Sequence, residues 1–208
     1  MPSEIEYGTF ANYSPRGTSE LSRKSKRICG AIKAGRTSQI ERALPLLENP
    51  QSDVLRPFLN PDVTLVPVPR SAPLAVGALW PAKVLADTLV ANGYGHEVLP
   101  LIERVAAVRK SSSSPASERP LIHEHVESMS VDADLIQPDQ ITIVDDVLTM
   151  GRTMFACASL LRDAFPNAEI RAFAMIRTQG MVDNIDRIFD PSVGTITGYP
   201  SGKSYRDP

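Results

Sequence analysis

The stretch that most constrains the fold of this chain is ITIVDDVLTMGRT at residues 141–153. Apolar and β-branched residues lead into two adjacent carboxylates, Asp145 and Asp146, and a short loop with one glycine follows. This order predicts a buried strand that stops at the carboxylates and a helix that begins at Thr153. Because burying an unpaired charge is costly, the carboxylates should face a cavity or a partner.

The loop at residues 149–153 offers several groups to a small anion. It supplies backbone N–H groups, the hydroxyls of Thr149 and Thr153, and the dipole of a helix N-terminus, which together suit a phosphate. Carboxylates that can accept hydrogen bonds from ribose hydroxyls lie a few residues away, so the stretch predicts a sugar-phosphate site. The alternative is an ordinary connection between a strand and a helix with a solvated pair of aspartates, which needs neither paired acids nor flanking threonines.

Residues 144–153, VDDVLTMGRT, resemble the phosphoribosyl-pyrophosphate (PRPP) signature of type I phosphoribosyltransferases. The resemblance departs at Met150, where many members carry a small or hydroxylated residue. It implies an α/β fold with a parallel, Rossmann-like sheet. It also implies that Asp145 and Asp146 are catalytic residues that hold the ribose hydroxyls. The 5-phosphate would bind to the loop residues Thr149, Met150, Gly151, Arg152 and Thr153.

A second informative stretch is DVTLVPVPRS at residues 62–71. Pro67 and Pro69 remove two backbone donors, so an apolar strand should end there, and a helix should begin near Pro81. The turn at residues 66–71 resembles the pyrophosphate-binding turn of the same family, and its Pro-x-Pro pattern is closest to that of the ComF-like branch. The resemblance implies that Pro69, Arg70 and Ser71 bind pyrophosphate. The alternative is a rigid loop with a surface arginine.

Residues 110–120 are rich in serine and proline and have no hydrophobic period, which predicts a mobile loop. Members of the family close a flexible loop over pyrophosphate at this place. The resemblance therefore implies that Arg109 binds pyrophosphate and that Lys110 is a catalytic residue once the loop closes, with Arg119 as a further cation. The alternative is a tethering loop with solvated charges.

The resemblance implies that a nitrogenous base or amine displaces pyrophosphate from PRPP. Mg²⁺ would be the cofactor, held mainly through substrate oxygens and through water on Asp145 and Asp146, and we assign no residue as a direct metal ligand. Enzymes that act on 6-oxopurines carry an aspartate where Thr149 stands, so this chain looks more orotate-like or ComF-like in the loop. The acceptor is otherwise open.

Three regions are expected along the chain. Residues 1–60 should form a helical, basic extension that can act as a lid, residues 61–190 the phosphoribosyltransferase-like core, and residues 191–208 a flexible tail. Residues 4–10 suggest a short edge strand. The basic segment 16–36 predicts an amphipathic helix whose outer face is either solvated or binds anions, nucleic acid among them.

Composition excludes several classes. A net charge of −2 disfavours a globally basic nucleic-acid binder. The two cysteines lie far apart, which fits a reducing cytosol, and no apolar run reaches the ~18 residues of a membrane span. We expect a cytoplasmic protein without a membrane partner, and a homodimer is possible.

His123 and His125 flank a glutamate but lack a third ligand, which favours a surface pair over zinc.

A competing hypothesis keeps the fold without turnover. Such a protein would sense PRPP or a nucleotide, or would associate with DNA in the manner of ComF-like proteins.

Overall fold

The computed structural model describes residues 3–109, 118–133, 137–180 and 182–207. Within these residues a seven-stranded sheet has the order β3-β2-β6-β7-β1-β8-β9. The strands are β1 Glu4–Tyr13, β2 Thr64–Pro67, β3 Glu97–Val98, β4 Ile102–Arg104, β5 Met129–Val131, β6 Gln140–Leu148, β7 Glu169–Thr178, β8 Phe189–Gly198 and β9 Ser204–Arg206. Strands β3, β2, β6, β7 and β1 run parallel, β8 and β9 add antiparallel pairs, and β4 and β5 form a separate antiparallel pair.

Helices cover both faces of the sheet. They are α1 Glu20–Lys33, α2 Thr37–Ala43, α3 Pro81–Ala91, α4 Ile122–Glu127 and α5 Arg152–Ala164, with 3₁₀ helices at Leu44–Glu48 and Pro50–Leu55. Neighbouring residues of β6 show the layering, because Ile143 packs in the core beneath α5 whereas Val144 packs in the core beneath α1 to α3. This alternation of strands and helices around a mostly parallel sheet confirms the predicted α/β fold class.

The N-terminal strand corrects the sequence prediction. Strand β1 is not a short edge strand but an interior one, paired with β7 on one side and β8 on the other. A Cβ atom on Gly8 would lie 2.9 Å from Leu55 Cδ2, so the 3₁₀ helix presses directly on the strand there. That close approach explains the glycine, which weakens the strand signal in the sequence.

The C-terminal region also differs from expectation. The predicted flexible tail contributes most of β8 and all of β9 to the main sheet. In β8 only Ile196 is fully buried, so the alternation that identifies a half-buried strand is missing from the sequence. The boundary placed after residue 60 therefore separates β1 from the sheet to which it belongs, and the boundary placed after residue 190 falls within β8.

Local predictions mostly hold. Helix α1 covers the predicted basic segment, with Ser19 as its N-cap, and α3 begins at Pro81 as predicted. The short strands β3 and β4 lie close in sequence but belong to different sheets. In the part of the chain that the structure describes, no helix is long and apolar enough to cross a membrane.

Packing of the C-terminal hairpin on α5 can be tested at Gly198. A Cβ atom there would lie 2.3 Å from Cζ of Phe155, so we expect Gly198→Ala to lower the free energy of unfolding by about 1–3 kcal/mol. Gly30 is the matched control: a Cβ there meets nothing within 4 Å, and it lies inside α1. Gly30→Ala should stabilise by about 0.5–1 kcal/mol. Urea unfolding measures both, and a neutral Gly198→Ala would contradict this packing.

Candidate functional site

A cavity of 590 Å³ opens where β2 and β6 end. The two strands are parallel neighbours, with Pro67 opposite Val144, so the loops that follow them meet at one edge of the sheet. Residues 69–71 line the cavity from one loop, and residues 145–154 line it from the other. Two stretches far apart in sequence therefore form one site.

The cavity contains every predicted site residue that the structure describes. They are Pro69, Arg70, Ser71, Arg109, Asp145, Asp146, Thr149, Met150, Gly151, Arg152 and Thr153, together with Arg119. Lys110 lies outside the described residues. The individual roles of these side chains remain predictions.

The two aspartates lie within β6 rather than after it, because the strand continues to Leu148. The Asp146 N–H donates to Asp145 Oδ1 at 2.8 Å. Burial raises the pKa of Asp145 well above its usual range, and the charge of Asp146 raises it further. Lys33 on α1 lines the same cavity and partly offsets this rise in pKa. The environment of the cavity therefore disfavours two negative charges on this pair unless a ligand or cation compensates them.

The glycine of the signature is required by both conformation and space. Gly151 has φ of 78°, a left-handed value, and directly precedes α5. A Cβ atom there would lie 2.5 Å from Cδ1 of Ile196 in β8. Helix α5 thus begins at the loop, with its N-terminal dipole at the cavity where an anion is favoured.

The C-terminal hairpin holds the signature loop from behind. Ser204 Oγ, in β9, donates to the Met150 carbonyl at 2.7 Å. On the cavity side, the Thr149 and Thr178 hydroxyl oxygens are 3.1 Å apart. A loop tied to β9 and β7 in this way keeps its backbone N–H groups in place before a ligand arrives.

The serine-rich segment is joined to the site at both described ends. Arg109 pairs with Glu118, and both side chains are more than half exposed. Arg152 Nη1 donates to the carbonyls of Arg119 and Pro120, at 3.0 and 3.2 Å. Arg152 therefore positions the end of this segment, a role that the sequence did not indicate. Because exposed ion pairs contribute little, Arg109 can leave Glu118 at small cost.

Two buried residues at the cavity were missed by the sequence analysis. Arg104 is 2% exposed and His125 is 3% exposed, so His125 is not the surface residue that was predicted. Burial, followed by the charge of Arg104, lowers the pKa of His125 to about 4. A signal for Arg104 existed, since it follows Ile102 at the strand period of two. His125 lies on a six-residue helix, too short to show a period.

The carboxyl groups at the cavity could supply some, but not all, of the ligands of a bound cation. Among the described residues no group of three or more His, Cys, Asp or Glu could hold a metal ion. Asp145 and Asp146 supply two carboxyl groups, and burial, followed by the charge of Asp146, raises the pKa of Asp145, so a bound cation would favour its ionised form. Such a pair suits Mg²⁺, which usually keeps several waters and takes further oxygens from a phosphorylated substrate.

Comparison with known proteins gives a limited result. No family model matches the chain, and no curated protein matches it. Among solved structures, it is similar to an adenine phosphoribosyltransferase from Leishmania tarentolae at 14% sequence identity and a TM-score of 0.31, covering 82% of this chain and 83% of that chain. A TM-score this low supports no functional argument.

The raised pKa of Asp145 should make the stability of the protein depend on pH. A carboxyl group whose pKa is raised by folding favours the folded state only while protonated, so its ionisation destabilises the protein as pH rises. Without divalent cations at pH 8, Asp145→Asn should raise Tm by about 2–4 °C, or about 1 kcal/mol for a chain of this size. The gain should vanish near pH 4, close to the usual pKa of about 3.9 for aspartate in an unfolded chain.

Thermal unfolding followed by circular dichroism at both pH values provides the measurement. Asp139→Asn is the matched control, because Asp139 is exposed just before β6. Equal Tm values for wild type and Asp145→Asn at pH 8 would mean that Asp145 is not held in the unfavourable environment described above.

Proposed function

We propose that the protein is a PRPP-binding phosphoribosyltransferase, which displaces pyrophosphate from PRPP with a nitrogenous acceptor. One observation supports this above all others: the signature loop at residues 145–153 and the turn at residues 69–71 line a single cavity. One loop suits a ribose 5-phosphate and the other suits a pyrophosphate. A ligand that joins both groups through one sugar fits this arrangement better than an isolated phosphate does.

In the proposed complex the signature loop binds the donor sugar. Backbone N–H groups at the start of α5 and the hydroxyls of Thr149 and Thr153 take the 5-phosphate. The carboxylates of Asp145 and Asp146 accept hydrogen bonds from the ribose hydroxyls, which replaces the repulsion between them with favourable contacts. Binding then relieves an unfavourable feature of the free site, which adds to affinity.

The chemistry is a substitution at C1 of the ribose. The bond from C1 to the pyrophosphate oxygen breaks, and the acceptor nitrogen supplies the electron pair of the new bond. Positive charge develops on the ring, where Asp145 and Asp146 stabilise it, and negative charge leaves towards Arg70, Ser71 and Arg109. Mg²⁺, when bound, would neutralise pyrophosphate oxygens, with Asp145 and Asp146 holding its waters.

Residues near the N-terminus line one side of the cavity, where we propose that the acceptor binds. Tyr13, Pro15 and Lys33 line the cavity, so the region that was predicted as a lid reaches the site. Position 149 supplies a hydroxyl next to that of Thr178, not a carboxylate. A hydroxyl is a poor base for deprotonating a 6-oxopurine, so we propose a different nitrogenous base or an amine as acceptor.

Titration calorimetry with PRPP and Mg²⁺ tests the proposal. The wild-type protein should bind, and the Asp145→Asn, Asp146→Asn double variant should bind at least about tenfold more weakly, because hydrogen bonds to charged acceptors are lost. Arg70→Gln should weaken binding of pyrophosphate while leaving ribose 5-phosphate unaffected. Asp139→Asn serves as the control.

Turnover is measured separately as pyrophosphate release with a panel of nucleobases and amines. Failure of the wild-type protein to bind PRPP would rule out both catalysis and PRPP sensing. Binding without release for any acceptor would favour the sensing alternative.

A second candidate function, association with DNA, is favoured by the basic face of α1. Arg23, Lys24 and Arg27 are all exposed on this helix. Phosphate contacts made by such cations are independent of sequence and weaken steeply with salt.

Fluorescence anisotropy with labelled single- and double-stranded DNA provides the test. If α1 binds DNA, affinity at low salt should fall at least about tenfold in a variant with Ala at positions 23, 24 and 27. Each lost phosphate contact should also reduce the slope of log K against log salt by about 1. Undetectable binding of the wild-type protein at low salt would remove this candidate.

A further inference from the structure

A chain of contacts joins the two loops beneath the cavity through Arg104 and His125. Arg104 Nε donates to the Arg70 carbonyl at 2.9 Å, and Arg104 Nη1 lies 3.4 Å from the His125 carbonyl. His125 Nε2 lies 3.3 Å from Thr153 Oγ1 in the first turn of α5. All four residues line the cavity. The turn at residues 69–71 and the signature loop at residues 145–153 are therefore supported by the same buried residues.

This support is incompletely hydrogen-bonded. Arg104 Nη2 and His125 Nδ1 are both buried without a partner among the described residues. Leaving buried polar atoms unpaired is costly, so their arrangement at a cavity calls for an explanation in terms of a ligand or of the tautomer of His125.

The tautomer follows from the neighbours of the ring. If Nε2 accepted from Thr153, then Nδ1–H would be a buried donor with no acceptor, beside the positive charge of Arg104. If Nε2–H donates to Thr153 Oγ1, then Nδ1 carries only a lone pair, which a nearby guanidinium favours. The second arrangement is less costly, because an unpaired donor near a cation is the worst case.

We propose that His125 is a positioning residue of the phosphate site, whose Nε2–H donates to Thr153 Oγ1. A hydroxyl that accepts from His125 keeps its single proton for another acceptor. In this structure that acceptor would be a phosphate oxygen in the loop at residues 149–153. His125 thus turns Thr153 into a directed donor towards the anion. This inference rests on the proposed function only in naming the phosphate of PRPP as the anion.

Burial, with the charges around His125, keeps the ring neutral at physiological pH. Arg104 faces it from β4 and Arg152 from α5, and both oppose protonation, whereas Glu124 on its own helix favours it. Burial is the largest cause of the lowered pKa, and the two arginines add to it, so the pKa lies at about 4. The positioning role should therefore be independent of pH between about 6 and 8, unlike that of an ordinary histidine.

A double-mutant cycle tests the coupling, with inorganic phosphate and PRPP as separate probes. His125→Leu and Thr153→Val should each weaken anion binding about tenfold. The double variant should be no weaker than Thr153→Val, because His125 acts only through that hydroxyl. His125→Gln, which can place an N–H near the position of Nε2, should retain most of the affinity. His123→Leu is the control, since His123 is exposed two residues away.

The tautomer is measured directly in the unliganded wild-type protein, which also covers the case in which His125→Leu fails to fold. The chain has three histidines, so long-range ¹H–¹⁵N spectra can resolve each ring. We expect His125 to be protonated at Nε2 alone at pH 7. An Nδ1–H tautomer or an additive cycle would overturn the inference. Phosphate binding with a non-additive cycle but no PRPP binding would uphold it while contradicting the proposed function.

Discussion

The parallel pairing of β2 with β6 is the constraint on which the rest of the structure depends. Pro67 lies opposite Val144, and the Val68 N–H donates to the Val144 carbonyl at 2.8 Å. The hydrogen bond from Val68 lies just beyond the end of β2, and it places the turn at residues 69–71 beside the aspartates. Shifting the register by one residue would turn the side chains of the strand to the opposite face of the sheet and dismantle the cavity.

The cavity contains acidic groups and a buried arginine that do not pair with each other, an arrangement that a packed core would not tolerate. Asp145 and Asp146 place two adjacent carboxyl groups on β6, where burial disfavours their ionisation. Arg104, which lines the same cavity, has no carboxylate among its hydrogen-bond partners in the described residues, and its Nη2 is buried and unpaired. Each arrangement costs folding free energy, and the proposed ligand would offset both costs by bringing hydroxyls to one side and an anion to the other. Stability is lost at this site, and the proposed ligand, a sugar with phosphate groups, would restore it.

The C-terminal hairpin shows how distant parts of the chain keep the loop in shape. Ser204 holds the Met150 carbonyl, Ile196 leaves no room for a side chain at residue 151, and the Ile122 N–H donates to the Gly202 carbonyl at 2.8 Å. The hairpin of β8 and β9 therefore contacts and supports both the signature loop and α4, which carries His125. A preorganised loop has little conformational entropy to lose on binding, which favours affinity.

The sequence by itself determined the signature loop, the upstream turn, the helices that begin at Pro81 and near Thr153, and the α/β class. These follow from local rules, because hydrophobic periods, prolines and glycines act within a few residues. Only the tertiary structure decided that β1 lies inside the sheet, that residues 189–206 form two strands, and that His125 is buried beside Arg104. Gly8 and the half-exposed β8 hide their strands because their burial comes from partners far along the chain. The sequence could therefore indicate which loops are candidates for binding a ligand, but only the fold could show which buried residues hold those loops in place.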